Sequence, residues 1–99
     1  MELLTKAQKQ RIPDLYSQEE VKDPMVYLII RCSSAIWLVT EYSEDEELAF
    51  GWCDIYGDGS CGELGYISLK EIDELKDSYT VNIKEVEKPL SEMKKEVYR

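Results

Sequence analysis

The chain has 99 residues, 43% of them apolar and 33% charged, with a net charge of −9 and no histidine. That length suits one hydrophobic core and the composition is too apolar for a disordered acidic chain, so a single domain over residues 1–99 is expected. Membrane insertion and secretion find no support: the longest apolar run, Met25 to Ile30, has six residues against the roughly 20 of a spanning helix, and the start Met1-Glu2-Leu3-Leu4-Thr5-Lys6 lacks a basic-then-apolar signal. The expected compartment is the cytoplasm.

Thr5-Lys6-Ala7-Gln8 is a capping box, so a short N-terminal helix is predicted, ending near Arg11-Ile12 because Pro13 disfavours helical geometry in its predecessor. Ser17-Gln18-Glu19-Glu20 repeats the pattern and predicts one helical turn before Asp23-Pro24. Met25 to Cys32 is rich in β-branched and aromatic residues and reads as a first strand. A Ser33-Ser34-Ala35 break separates it from a second strand, Ile36 to Tyr42. The third, Glu47 to Tyr56, follows an acidic turn and alternates Leu48, Phe50 and Trp52 with Ala49, Gly51 and Cys53. That small-residue face predicts close approach by a helix or another stretch of chain.

Gly57-Asp58-Gly59-Ser60-Cys61-Gly62 has the composition of a tight connection, making a hairpin with a fourth strand, Glu63 to Ile67. Ser68-Leu69-Lys70-Glu71 is a third capping box, opening a helix with Leu69, Ile72 and Leu75 on one face. A fifth strand is predicted over Tyr79 to Val86, and a terminal helix from Pro89-Leu90-Ser91 carries Leu90, Met93 and Val97. The expected fold class is α+β: an antiparallel sheet of about five strands with short helices at the N-terminus, after strand four and at the C-terminus.

Without histidine, Ser-His-Asp and Cys-His nucleophile arrangements are excluded. The three cysteines, Cys32, Cys53 and Cys61, are odd in number and lack Cys-x-x-Cys spacing, so neither a disulfide framework nor a zinc site is expected, and thiols are. Cys53 and Cys61, symmetric about Gly57, are candidate cross-strand neighbours. The Asp54 to Gly65 segment has a calcium-loop flavour but the wrong spacing, since Tyr56 and Gly65 stand where oxygen ligands are required. Gly57-Asp58-Gly59 lacks the third glycine, helix and lysine of a phosphate loop. Asp54 and Glu63 could face each other across the hairpin, but a carboxylate pair without a nucleophile or metal is no specific signature. No catalytic residue, cofactor or metal is assigned, and the chain is read as a non-enzyme.

The charge is unevenly placed. Residues 41–74 hold eleven acids against Lys70 alone, a balance of −10, while the remaining residues come to +1. Phosphate contacts need clustered Lys and Arg, so direct nucleic-acid binding and an anionic membrane are disfavoured and a basic protein surface is the expected partner. The candidate partner-binding residues are Glu44, Asp45, Glu46, Glu47, Asp54, Asp58 and Glu63. They serve recognition of a basic groove or solubility alone. The strand aromatics Tyr27, Trp37, Tyr42, Trp52, Tyr56 and Tyr66 read as core or, beside the acids, as a binding hot spot.

Leu3-Leu4-Thr5, Trp37-Leu38-Val39-Thr40-Glu41, Ala49-Phe50-Gly51-Trp52-Cys53-Asp54, Glu63-Leu64-Gly65-Tyr66-Ile67-Ser68-Leu69 and Pro89-Leu90-Ser91 together resemble, over nearly the whole chain, a family of short bacterial proteins known only as a domain of unknown function and met on plasmids and integrative/conjugative elements. The chain departs from that pattern in a shorter stretch before Pro89 and a denser Glu44–Glu47 turn. The resemblance brings no activity or catalytic residue. It implies a mobile-element context, in which small acidic proteins of the anti-CRISPR and anti-restriction type block host nucleases. The leading expectation is thus an inhibitor of a host nucleic-acid-handling defence factor that uses an acidic surface. The alternatives are an accessory protein of element maintenance or transfer acting through an apolar surface, with homodimerisation open, and a small carboxylate-based enzyme.

Overall fold

Two runs of β-branched and aromatic residues set the centre of the molecule. In the computed structural model, which describes residues 3–60 and 62–98, they form β1 (Met25–Cys32) and β2 (Ala35–Ser43), an antiparallel pair joined at Ser33-Ser34. Outward from β2 lie β3 (Leu48–Asp54) and β4 (Glu63–Ser68); outward from β1 lies β5 (Val81–Pro89). The sheet is antiparallel throughout, with strand order β4-β3-β2-β1-β5. The helices α1 (Lys6–Arg11), α2 (Leu69–Leu75) and α3 (Leu90–Val97) complete the α+β fold expected from the sequence.

Alternation along the strands gives the sheet two apolar faces. One buries Leu28, Ile30, Val39, Ala49 and Ile67 beneath Leu4, Ile12, Leu69 and Ile72, which flank or belong to α1 and α2. The other buries Val26, Ile29, Ile36 and Leu38 beneath Leu90 and Met93 of α3. Leu38 and Val39, adjacent in β2 and both fully buried, show the two faces meeting at one strand; cutting Leu38 to alanine is expected to cost about 2–5 kcal/mol on the scale of buried large-to-small changes.

The capping signals decide the helix starts. Thr5 and Gln8 exchange side-chain and backbone hydrogen bonds at α1, and the Ser68 hydroxyl accepts from the Glu71 amide at α2. The Ser17 signal fails. Residues 15–20 form successive turns rather than a helical turn, and the Ser17 hydroxyl donates to the Asp14 carbonyl at 2.6 Å instead of capping. β5 starts two residues later than the sequence suggests because the Tyr79 amide is still bound to the Leu75 carbonyl at 2.8 Å.

The small-residue face of β3 has a local cause. A register shift between Val39 and Glu41 bulges β2 at Thr40, whose hydroxyl donates to the Phe50 carbonyl at 3.0 Å. The bulge draws β2 so close that a Cβ on Gly51 would stand 1.9 Å from the Leu38 carbonyl oxygen. The approaching chain is therefore the neighbouring strand, and only glycine fits. Among the described residues no helix is long and apolar enough to cross a membrane.

Candidate binding surface

The seven acids singled out from the sequence fall into two groups at opposite ends of β3, separated by the length of that strand, about 20 Å at ~3.3 Å per residue. Glu44, Asp45, Glu46 and Glu47 form the β2–β3 turn, all four exposed, with the Glu47 amide donating to the Glu44 carbonyl at 3.3 Å. Asp54, Asp58 and Glu63 lie at the far end.

Asp54 is fully buried, so no partner can reach it, and its expected place on an acidic surface is corrected. Its Oδ1 accepts from the amides of Tyr56 (3.1 Å) and Gly57 (2.9 Å), and its Oδ2 from the Gly59 amide (2.8 Å) and the Tyr98 hydroxyl (2.6 Å). These bonds, the Tyr98 hydroxyl first and then the loop amides, hold the Asp54 carboxyl below the usual carboxylate range. Tyr98 in turn accepts from Trp52 Nε1 at 2.8 Å, and burial with the Asp54 bond pushes its phenol up to about 12. The Lys94 ammonium sits 3.5 Å from the Trp52 ring centroid, a cation–π contact over the same node. Gly57 and Gly59 take φ of 72° and 83°, and a Cβ on Gly57 would stand 2.1 Å from the Ser34 carbonyl oxygen. Asp54 is thus the anchor that folds the glycine loop.

Asp58 is exposed but engaged locally, accepting from the Ser60 amide (2.9 Å) and hydroxyl (2.6 Å). Glu63 is exposed and pairs across the strands with Cys53. That register removes the Asp54–Glu63 carboxylate pair; the candidate Cys53–Cys61 pairing falls on Cys61, which lies outside the described residues. Burial, with Glu63 adding a little, raises the Cys53 thiol to about 11, far from the thiolate a reactive cysteine needs.

At the turn end the surface is built by residues the sequence left unassigned. The bulge at Thr40 puts Glu41 opposite Phe50. Glu41, 4% exposed, accepts from the amides of Tyr16 (2.8 Å) and Gln18 (2.7 Å). The Gln18 side chain donates to the carbonyls of Met25 and Thr40 and accepts from the Met25 amide. A buried acid and an amide thus clamp the 14–24 segment against the sheet, and they hold Tyr16 at a φ of 73°, a left-handed conformation uncommon for a bulky residue.

The clamp sets Tyr16 beside β4. Its hydroxyl lies 3.0 Å from that of Tyr66, and Tyr66 stacks edge-on to Phe50 with ring centroids 5.3 Å apart. The hydrogen bond with Tyr66, reinforced by Glu46 and Glu19, raises the Tyr16 phenol. Tyr16, Val21, Leu64 and Tyr66 are each about half exposed, at 59%, 48%, 49% and 54%. Together with Phe50 and Glu19 they line a cleft of about 210 Å³. Tyr16 also borders a second hollow with Glu44, Asp45 and Glu46, so the aromatic face and the acidic turn are continuous. Tyr66 was legible as a hot-spot candidate. Tyr16 and Val21 carry one signal: they are apolar residues in a polar stretch between Pro13 and Pro24, where the single predicted helical turn is too short to bury them.

The fold and this surface define a small α+β protein with an acid-rimmed aromatic face beside an edge strand. The chain belongs to the DUF2958 family, described as a protein of unknown function, whose model matches residues 1–94. No curated protein and no solved structure matches it.

Proposed function

We propose that this protein is a non-enzymatic binding protein that captures a basic protein surface, with the Glu44–Glu47 turn and the adjoining aromatic face as its contact. The observation that carries the reading is the continuity of four exposed, consecutive acids with half-exposed Tyr16, Val21, Leu64 and Tyr66. Aromatic side chains supply area at low entropic cost, and a charged rim steers the encounter and rejects acidic partners. A groove built to hold nucleic acid is the natural complement, because it presents clustered cations. The partner is accordingly read as a nucleic-acid-handling protein, in particular a host defence nuclease of the CRISPR or restriction type, met in the cytoplasm when the chain is expressed from a mobile element.

A second reading, an accessory protein of element maintenance or transfer acting through the apolar face, is favoured by those same half-exposed residues. Salt separates the two. Capture led by the turn weakens steeply between low and moderate ionic strength, whereas capture led by Leu64 and Tyr66 is nearly insensitive to it. The direct test is inhibition of purified Cas and restriction nucleases by wild type and by an E44K/D45K/E46K/E47K variant. Inhibition lost in the variant supports the proposal; full inhibition by it would sink the acidic surface.

A further inference from the structure

The two edges of the sheet are protected unequally. β5 bears Lys84, Glu85, Glu87 and Lys88, and Arg11 reaches across to Glu85 at 2.6 Å and Glu87 at 3.6 Å. Alternating charges of this kind are how proteins deter edge-to-edge pairing. β4 has one charge, Glu63 at its start, and then Leu64, Gly65, Tyr66, Ile67 and Ser68. Among the described residues no segment pairs with its outer side.

Gly65 adds a second observation. A Cβ there would meet nothing closer than the Cys53 sulfur at 4.0 Å, and its φ is not in the left-handed region. The monomer does not require glycine at this position, in contrast to Gly51. A bare glycine inside an edge strand is a place where another backbone can come close.

We propose that β4 receives an extended basic peptide of the partner as a sixth strand of the sheet. The occupant follows from charge. Glu63 stands at one end of β4, and the pairing of Leu48 with Ser68 brings the Glu44–Glu47 turn to the other. A strand laid along six residues, about 20 Å at ~3.3 Å each, therefore has acids at both ends and Leu64 and Tyr66 between them. The fitting peptide carries Lys or Arg at its ends and apolar residues two apart in the middle; main-chain hydrogen bonds give affinity and the cleft beside Tyr66 reads the side chains. A second copy of this chain would bring −9 against −9, which disfavours it as the occupant. This inference rests on the proposed capture of a basic partner and specifies its mode.

The test selects ten-residue peptides from a random displayed library on the full chain, then measures the best binder by titration, unmodified and with N-methyl groups on one strand edge. The expected result is a selected set with basic ends and alternating apolar residues, binding that falls at least tenfold on N-methylation of one edge only, slowed amide exchange over Glu63–Ser68, and a similar loss in L64K. A peptide that keeps its affinity in both N-methylated forms overturns strand addition while leaving capture by the acidic turn intact. Selected peptides whose binding is unchanged in E44K/D45K/E46K/E47K instead overturn the underlying reading. An empty selection, or light scattering that gives a dimer dissociated by L64K, overturns the peptide occupant.

Discussion

The two ends of β3 carry the same residue type to opposite ends. At the Asp54 end the carboxylates of Asp54 and Asp58 are taken up by loop amides and hydroxyls, and the acid at its centre is buried. At the Glu44–Glu47 end four carboxylates stand in solvent. An acid that is fully hydrogen-bonded stabilises the fold that holds it, whereas crowded exposed acids repel one another and contribute little. The same residue type thus plays two parts in this chain: at one end it builds a loop, and at the other it is left exposed, where the proposed function assigns it to recognition.

Each prediction presses on that contrast. The largest effect is expected at the buried anchor: Asp54→Ala removes the acceptor of four hydrogen bonds and should melt the 55–60 loop, giving the greatest loss of Tm among substitutions of these acids and rapid amide exchange at Gly57 and Gly59. A second group of buried bonds supports the other end. Glu41→Ala leaves the Tyr16 and Gln18 amides without acceptors and should cost about 3 kcal/mol by urea denaturation, since hydrogen bonds to a charged group are worth about 1.5–3 kcal/mol each. Because it frees Tyr16 from β4, it should also weaken binding.

Tyr98→Phe keeps the ring but removes one donor to the Asp54 carboxylate and the acceptor of Trp52, for about 2 kcal/mol, since one of the two bonds is to a charged group. The pH dependence follows from the lowered Asp54 carboxyl. A depressed folded-state pKa contributes stability that is fully present above the unfolded value, about 4, and lost as pH falls through the folded one. Wild type should lose stability on acidification below about pH 4. Asp54→Asn should start less stable at neutral pH and show a shallower acid limb, with the lowered Asp23 and Asp58 supplying what slope remains. The smallest stability effect is expected at the turn, where E44Q/D45N/E46Q/E47Q should stay within about 0.5 kcal/mol of wild type, as surface changes do.

The elements were legible where local chemistry decides them. β1 matches its sequence boundaries at Met25 and Cys32, and the Thr5 and Ser68 caps start their helices as the sequence suggests. The Ser17 signal misled because Glu41, twenty-five residues from Tyr16, holds that segment by its amides; a capping pattern has no knowledge of a distant acceptor. Asp54 reads as surface charge for the same reason, since its enclosure involves Tyr98, forty-four residues away. The candidate surface was half visible. The acidic turn could be read from composition, but its aromatic neighbour is assembled from the 14–24 segment and β4, which only the β2 bulge and its buried acid bring together.

The claim that the exposed end is for recognition and the buried end for folding is tested most directly by one paired measurement on E44K/D45K/E46K/E47K: thermal stability, and the amount of basic nucleic-acid-handling protein retained from a host lysate at low salt. The expected outcome is an unchanged or slightly raised Tm with retention reduced about tenfold or more, as follows from reversal of a charged rim. Retention equal to wild type in a variant that is fully folded would contradict it.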